Sequence, residues 1–175
     1  MPYQNSPLAA VAKGAVAGLV GTAVLTFAMP RTLATLRTYD LVPPEAPVPA
    51  TTEEAAEKME QPPRKLAATV ATGVLERDVP DETECTAGQA IHWGYGAAWG
   101  AFFGLMQGSL RLPFLLHGFL FGGLVGLAAS TVVPALGLTP PPRRQPGVVN
   151  LTQFELHALY GCVTALTFHL LGGES

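Results

Sequence analysis

Charged side chains are absent from three long parts of this chain, which argues against an ordinary water-soluble domain. No Asp, Glu, Lys or Arg occurs over residues 14–30, 88–110 and 112–142, and charged residues make up 13% of the chain, about half the usual share. An apolar run of about 20 residues can cross a hydrocarbon core of about 30 Å. A fourth apolar segment, residues 148–173, contains a single charge, Glu155.

Cysteine and clustered positive charge are also lacking. Two cysteines are too few for the disulfide framework of a small secreted domain, and we expect both to be free thiols. Eleven of the thirteen acidic residues lie between Asp40 and Glu84, so no nucleic-acid partner is expected. The sequence contains no zinc-ligand spacing, phosphate-binding loop or nucleophile–base pattern, which favours a protein that is not an enzyme.

What the chain does contain is an internal repeat. The pattern H-x-x-Y-G occurs twice, at residues 92–96 and 157–161. Three landmarks of the first apolar segment recur 104 residues later, in the pairs Gly14 and Gly118, Gly18 and Gly122, and Pro30 and Pro134. We therefore predict two tandem helical hairpins produced by duplication. Because each unit has an even number of spans, the repeat should be parallel, with an approximate two-fold axis along the membrane normal.

These segments predict an all-α, polytopic membrane protein that forms a single domain over residues 1–175. We place its four transmembrane helices at about residues 8–29, 88–110, 113–133 and 151–171. Pro30 and Pro134 should end the first and third spans, because proline disfavours helix in the residue before it. The polar loop 31–87 should contain short helices at about residues 52–60 and 64–76. Cations near the span ends favour cytoplasmic proline-bearing loops.

Small residues at four-residue intervals, which we call glycine ladders, predict how the spans pack. Apolar burial does not drive helix association in lipid, so close backbone approach through small residues takes its place. The residues assigned to helix packing are Gly14, Gly18, Gly96, Gly100, Gly104, Gly108, Gly118, Gly122, Gly126 and Gly161. Every fourth residue lies on one face of a helix, so each ladder forms a groove for a neighbour. Such grooves also favour a homo-oligomer or a larger membrane complex.

Four histidines are the main candidates for chemistry. His92 and His157 should lie at one depth, and His117 and His169 near the opposite face, about 18 Å away. One hypothesis is that each pair binds a haem b through two axial imidazoles, which would make the protein an electron carrier. The alternative, which we favour, is that no cofactor binds and that the histidines are hydrogen-bonded to the backbone or to the tyrosines one turn away.

Glu155 is the one carboxylate inside a span and suggests a third class of function, a proton-linked transporter. Ionisable groups within a membrane are costly, so they are functional candidates by default. Glu155 is two residues from His157, roughly 200° round the helix, so the two side chains do not share a face. A position near the membrane interface also fits a carboxylate that reaches water.

The segment Pro-Ala-Leu-Gly-Leu-Thr-Pro-Pro at residues 134–141, followed by Glu155 and His157 at the start of the last span, resembles the YagU-like family of uncharacterised bacterial inner-membrane proteins. The glycine-rich first span that leads into a proline-bearing loop is similar too. The resemblance covers mainly the last forty residues. It implies a multi-pass protein of the bacterial inner (cytoplasmic) membrane and supplies no catalytic residues.

The function expected from all of these features is that of a small integral membrane protein. It would act as a scaffold, an accessory subunit or a minor permeation element, with the lipid bilayer as its surroundings.

Overall fold

The structure is a computed structural model that describes residues 6–41, 66, 81–107 and 112–173. These residues form helices and connections without strands, which confirms the predicted all-α class. The four long helices are α1 (Pro7–Thr38), α2 (Asp81–Gln107), α3 (Phe114–Ala135) and α4 (Gly147–Leu170), and a short 3-10 helix, Pro142–Arg144, precedes α4. Apart from Leu66, the short helices predicted at 52–60 and 64–76 lie outside the described residues.

The first helix is longer than predicted, because Pro30 does not end it. Ser6 caps its start, where the Ser6 hydroxyl accepts a hydrogen bond from the Ala9 nitrogen at 3.2 Å, as is usual for a helix N-cap. Proline removes one backbone donor, but side chains after it supply further bonds to helix carbonyls. Arg31 donates to the Phe27 carbonyl at 2.6 Å. Hydroxyls that bond the carbonyl four residues back belong to Thr32, Thr35 and Thr38.

The other helix boundaries differ from the predicted spans by a few residues. α2 is described from Asp81, seven residues before the predicted start at residue 88. α4 begins at Gly147 rather than residue 151 and ends at Leu170. The predicted end of the second span, at residue 110, lies outside the described residues.

Residues in the left-handed backbone conformation follow three of the helices. Their φ angles are 53° at Asp40, 73° at Gly137 and 67° at Gly172. After each, the next residue donates its N–H to the carbonyl five residues back, as Leu138 does to Val133 at 3.2 Å. This pattern is the Schellman motif. α3 therefore ends because of Gly137, and Pro134 lies within its last turn.

The helices form an antiparallel bundle with unequal spacing. Backbones approach closely between α1 and α2, between α3 and α4, and between α1 and α4. α2 and α3 instead meet through aromatic rings, with Phe103 and Trp99 at 5.0 and 6.0 Å from Phe121 between ring centroids. The core cluster consists of Ala17, Phe103, Phe121, Val125, Tyr160, Ala165 and Phe168.

Glycines make the two tightest helix contacts. A Cβ atom on Gly100 would lie 2.5 Å from the Cα of Gly18, and one on Gly161 would lie 2.7 Å from the Cα of Gly122. Nine of the ten glycines assigned to packing lie at the α1–α2 or the α3–α4 contact, and Gly108 lies outside the described residues. Both helix pairs therefore depend on the absence of side chains at these positions.

The glycine contacts of the two hairpins correspond to each other in a register that differs by one helical turn from the alignment of the two H-x-x-Y-G motifs. Gly161 meets Gly122 in the way that Gly100 meets Gly18, whereas the sequence motif pairs Gly161 with Gly96. His157 therefore takes the place that Gly96 has in the first hairpin. It is not the structural counterpart of His92.

Candidate functional site in the polar interior of the bundle

His92 on α2 faces α1. Its Nε2 lies 3.0 Å from the Thr26 hydroxyl, and that hydroxyl also donates to the Thr22 carbonyl at 2.8 Å. Because a hydroxyl has only one hydrogen to give, the imidazole is the donor in the bond between His92 and Thr26. This bond connects α2 to α1 one turn before Pro30, and it leaves the His92 Nδ1 as the acceptor nitrogen of the neutral ring.

His157 on α4 faces α3 instead. A Cβ atom on Gly126 would lie 3.2 Å from the His157 Cβ, and the His157 Nδ1 donates to the Gln153 carbonyl at 2.7 Å. The imidazoles of His92 and His157 thus contact different helices, and the structure does not bring them together as a pair.

His117 is the most deeply buried of the four histidines, with 2% of its surface exposed. Its ring lies 4.8 Å from that of Phe103 between centroids, and its Nδ1 bonds the side-chain oxygen of Gln107 at the end of α2. With that amide oxygen as acceptor, Nδ1 is the donor nitrogen of His117. The buried Nε2 atom has no hydrogen-bond partner among the described residues, which is unusual in a folded protein.

His169 stacks on Phe114 of α3, with centroids 4.7 Å apart and planes at 8°. His117 and His169 therefore each lie against a different phenylalanine ring. Among residues 6–41, 66, 81–107 and 112–173, no three His, Cys, Asp or Glu side chains are grouped as metal ligands. Haem binding stays the alternative hypothesis, and an absorption spectrum of the purified protein tests it against a His92→Ala, His157→Ala double variant.

Glu155 lies on the outer surface of α4 and is exposed. The neighbouring Phe154 and the nearby Leu151 and Leu159 are exposed on α4 as well. The carboxylate considered for proton handling is therefore outside the bundle.

Hydroxyl groups form the part of the interior that sequence reasoning missed. The Tyr160 hydroxyl donates to the Gly96 carbonyl at 2.7 Å and thereby connects α4 to α2 inside the core. Thr22 and Thr164 are also buried, with 2% and 0% of their surfaces exposed. Tyr160 belongs to the repeated motif, and Thr22 follows Gly14 and Gly18 at the same four-residue interval. A signal therefore existed, but spacing alone does not show which of these positions face a neighbouring helix.

Cys162, on α4, is a free thiol as expected, and the side chain of Cys85 lies outside the part of the chain that the structure describes. The resemblance of the last forty residues to the YagU-like family stays a prediction. Comparison with protein-family models, with curated proteins and with solved structures finds no match to this chain.

Proposed function

We propose that this chain is a four-span integral membrane protein of the bacterial inner membrane. In this proposal it is not an enzyme but a scaffold, an accessory subunit or a minor permeation element. The observation that carries the proposal is the distribution of polarity, since large apolar side chains cover the outside of the bundle while polar side chains lie within it.

The outer face of α3 illustrates this distribution. Its large apolar side chains are between 41% and 62% exposed, and they are Leu115, Leu116, Phe119, Leu120, Leu124 and Leu127. A contiguous apolar surface of this kind is unfavourable in water and is typical of a site that contacts a membrane or another protein. On the inward face of the same helix lies the buried polar residue His117.

Two of the helices, α1 and α3, are long and apolar enough to cross a membrane. Their most apolar stretches have mean hydropathies of 1.8 and 1.7, and 28% of each stretch is buried. The buried core helix of a soluble protein can be equally apolar, but it is mostly covered by its neighbours. The low burial of α1 and α3 therefore favours lipid as their surroundings.

Chain direction extends this argument to α2 and α4. Because α1 and α3 run in the same direction, a chain that crosses the bilayer in both must return between them, and α2 is the long described helix that lies there. α4 packs along both α1 and α3, so it shares their surroundings. Four spans in two hairpins meet both requirements, namely the return of the chain between α1 and α3 and a membrane location for α4.

The glycine contacts support the same proposal and the duplicated origin of the hairpins. Close backbone approach through small residues is a common way for helices to associate in lipid. The matching relations of Gly18 to Gly100 and of Gly122 to Gly161 fit a parallel repeat with a one-turn shift in register.

Cysteine labelling in membranes tests the number of spans. In a variant without Cys85 and Cys162, single cysteines at residues 6 and 112 should react from one side of the membrane, and cysteines at residues 39 and 145 from the other. Carbonate washing should leave the protein in the membrane fraction. The proposal fails if all four positions react from the same side, or if the purified chain stays folded and monodisperse in buffer without detergent.

A further inference from the structure

Polar side chains form a row through the interior of the bundle. The members of this polar row are His92, Thr26, Thr22, Tyr160, Thr164 and His117. Its two ends can be placed on α2, because His92 belongs to that helix and His117 bonds Gln107 at the end of it. Fifteen residues separate His92 from Gln107, which is about 22 Å of helix. The polar row thus covers most of a hydrocarbon core about 30 Å thick.

The first part of the polar row lies between α1 and α2. His92 donates to the exposed Thr26 at 3.0 Å, and the Thr26 hydroxyl donates to the Thr22 carbonyl at 2.8 Å. The Thr22 hydroxyl lies directly against Gly96, where a Cβ atom would overlap it. This part therefore leads from an exposed hydroxyl to the buried backbone around Gly96.

The second part begins at the same glycine. The Tyr160 hydroxyl donates to the Gly96 carbonyl at 2.7 Å, so Thr22 and Tyr160 meet at one residue from two different helices. Tyr160 and Thr164 are one turn apart on α4 and face Gly21 of α1. A Cβ atom on Gly21 would lie 2.6 Å from the Thr164 oxygen and 2.9 Å from the Tyr160 ring.

The third part consists of Thr164 and His117. Each is the chain neighbour of a residue in the tight α3–α4 contact, Ala165 or Gly118, where a Cβ atom on Gly118 would lie 2.7 Å from the Ala165 Cβ. The His117 Nε2 has no hydrogen-bond partner among the described residues, and the Thr164 oxygen has no regular hydrogen bond to them, although the Tyr160 hydroxyl is nearby. Buried polar atoms that lack a regular hydrogen bond to the protein commonly bind ordered water, so we expect water at these two atoms.

We propose that the polar row is a proton path through the bundle. This inference rests on the proposed membrane function and names the ion that the permeation element would carry. A proton binds the Nδ1 of His92, and the hydrogen on Nε2 passes to the Thr26 hydroxyl, which gives up its own hydrogen to a water beside Thr22. That water passes a hydrogen to the Tyr160 hydroxyl, Tyr160 gives its own to Thr164, and Thr164 gives its own to a second water. The second water delivers a hydrogen to the Nε2 of His117, which releases one from Nδ1, so one proton moves down its gradient and no electron is transferred.

Other ionisable groups lie beside the row without belonging to it. Lys13 donates to the Gly172 carbonyl at 2.9 Å, at the end of the bundle where α1 begins and α4 ends, and His169 lies in the last turn of α4. Glu155 is on the outer surface. The path therefore does not include Glu155, the carboxylate that the sequence suggested for proton-linked transport.

Proton flux into vesicles tests the path. The purified protein is reconstituted into liposomes, insertion is checked by flotation with the vesicles, and an internal pH dye follows acidification after an external acid step. Thr164→Val keeps the volume and removes the hydroxyl, and it should slow acidification at least about tenfold, since a positioned proton-transfer group contributes about 10² or more. His117→Gln should have a similar effect, whereas Glu155→Gln should have none.

Matched controls separate the path from general damage. Thr152→Val removes another buried hydroxyl of α4, and His157→Gln removes a histidine that faces α3, so both should leave flux unchanged. Thr164→Ser keeps the hydroxyl and should retain the flux of the original protein. Inserted protein with no more flux than protein-free vesicles, or full flux in Thr164→Val and His117→Gln, overturns the path and leaves the membrane proposal standing. Failure to float with the vesicles overturns both.

Discussion

Replacement of Gly100 by alanine tests the tight α1–α2 contact. The added Cβ would lie 2.5 Å from the Cα and 2.7 Å from the nitrogen of Gly18, whereas carbon atoms in contact are about 3.5–4.0 Å apart. These two atoms and the Gly14 carbonyl oxygen, which also obstructs the added Cβ, all belong to the backbone. No side-chain rotation relieves the overlap, so the helices must separate by about 1 Å. Overpacking of this kind costs about 1–3 kcal/mol.

Gly94→Ala provides a matched control on the same helix, because a Cβ atom there would meet nothing within 4 Å. Both substitutions gain about 0.5–1 kcal/mol from the higher helix propensity of alanine, so the difference between them isolates packing. Unfolding by SDS in dodecylmaltoside micelles, followed by tryptophan fluorescence, measures both free energies. We expect Gly100→Ala to be less stable than Gly94→Ala by about 1–3 kcal/mol. Equal stability of the two variants would refute the close contact.

The same titration tests three further features of the structure. Gly137→Ala should lower the free energy of unfolding by about 1 kcal/mol, because alanine is disfavoured at positive φ. Asp40→Gly should raise the free energy of unfolding for the same reason. Changes of the same sign in the two variants would contradict the helix ends described above. Tyr160→Phe should lose about 0.5–1.5 kcal/mol with its bond to the Gly96 carbonyl, and an unchanged midpoint would argue against that bond. Glu155→Gln should change stability by less than about 0.5 kcal/mol, as expected for an exposed side chain, and a larger loss would place the carboxylate inside the bundle.

Helix content and the small-residue faces could be predicted because both follow from local pattern. Uncharged runs of the right length and glycines every four residues are properties of single helices. Helix ends were less predictable, because they depend on individual side chains and backbone conformations that the hydrophobic pattern does not reveal. Pro30 does not end α1, whose hydrogen bonds continue through Arg31 and the following threonines, whereas Gly137 ends α3 through its own backbone conformation.

The pairing of functional groups could not be predicted, because it depends on register between helices. Alignment of the repeated motif made His92 and His157 equivalent, but the depth at which two glycine faces meet is set by packing. In the structure His92 contacts α1 and His157 contacts α3, and a shift of one turn gives His157 the position that Gly96 has in the first hairpin. The same limitation hid the bond from Tyr160 to Gly96, which joins residues 64 positions apart in the chain.

The position of α1 between α2 and α4 has a consequence for biogenesis. In the proposed membrane location, a chain inserted helix by helix can pair α1 with α2 as soon as both have entered the bilayer. The second buried face of α1, at Ala17 and Gly21, stays unoccupied until α4 arrives, and the glycine face of α3 waits for the same helix. Arrival of α4 therefore completes two interfaces at once, and defects in α4 should accumulate a half-assembled species that membrane quality-control proteases can recognise.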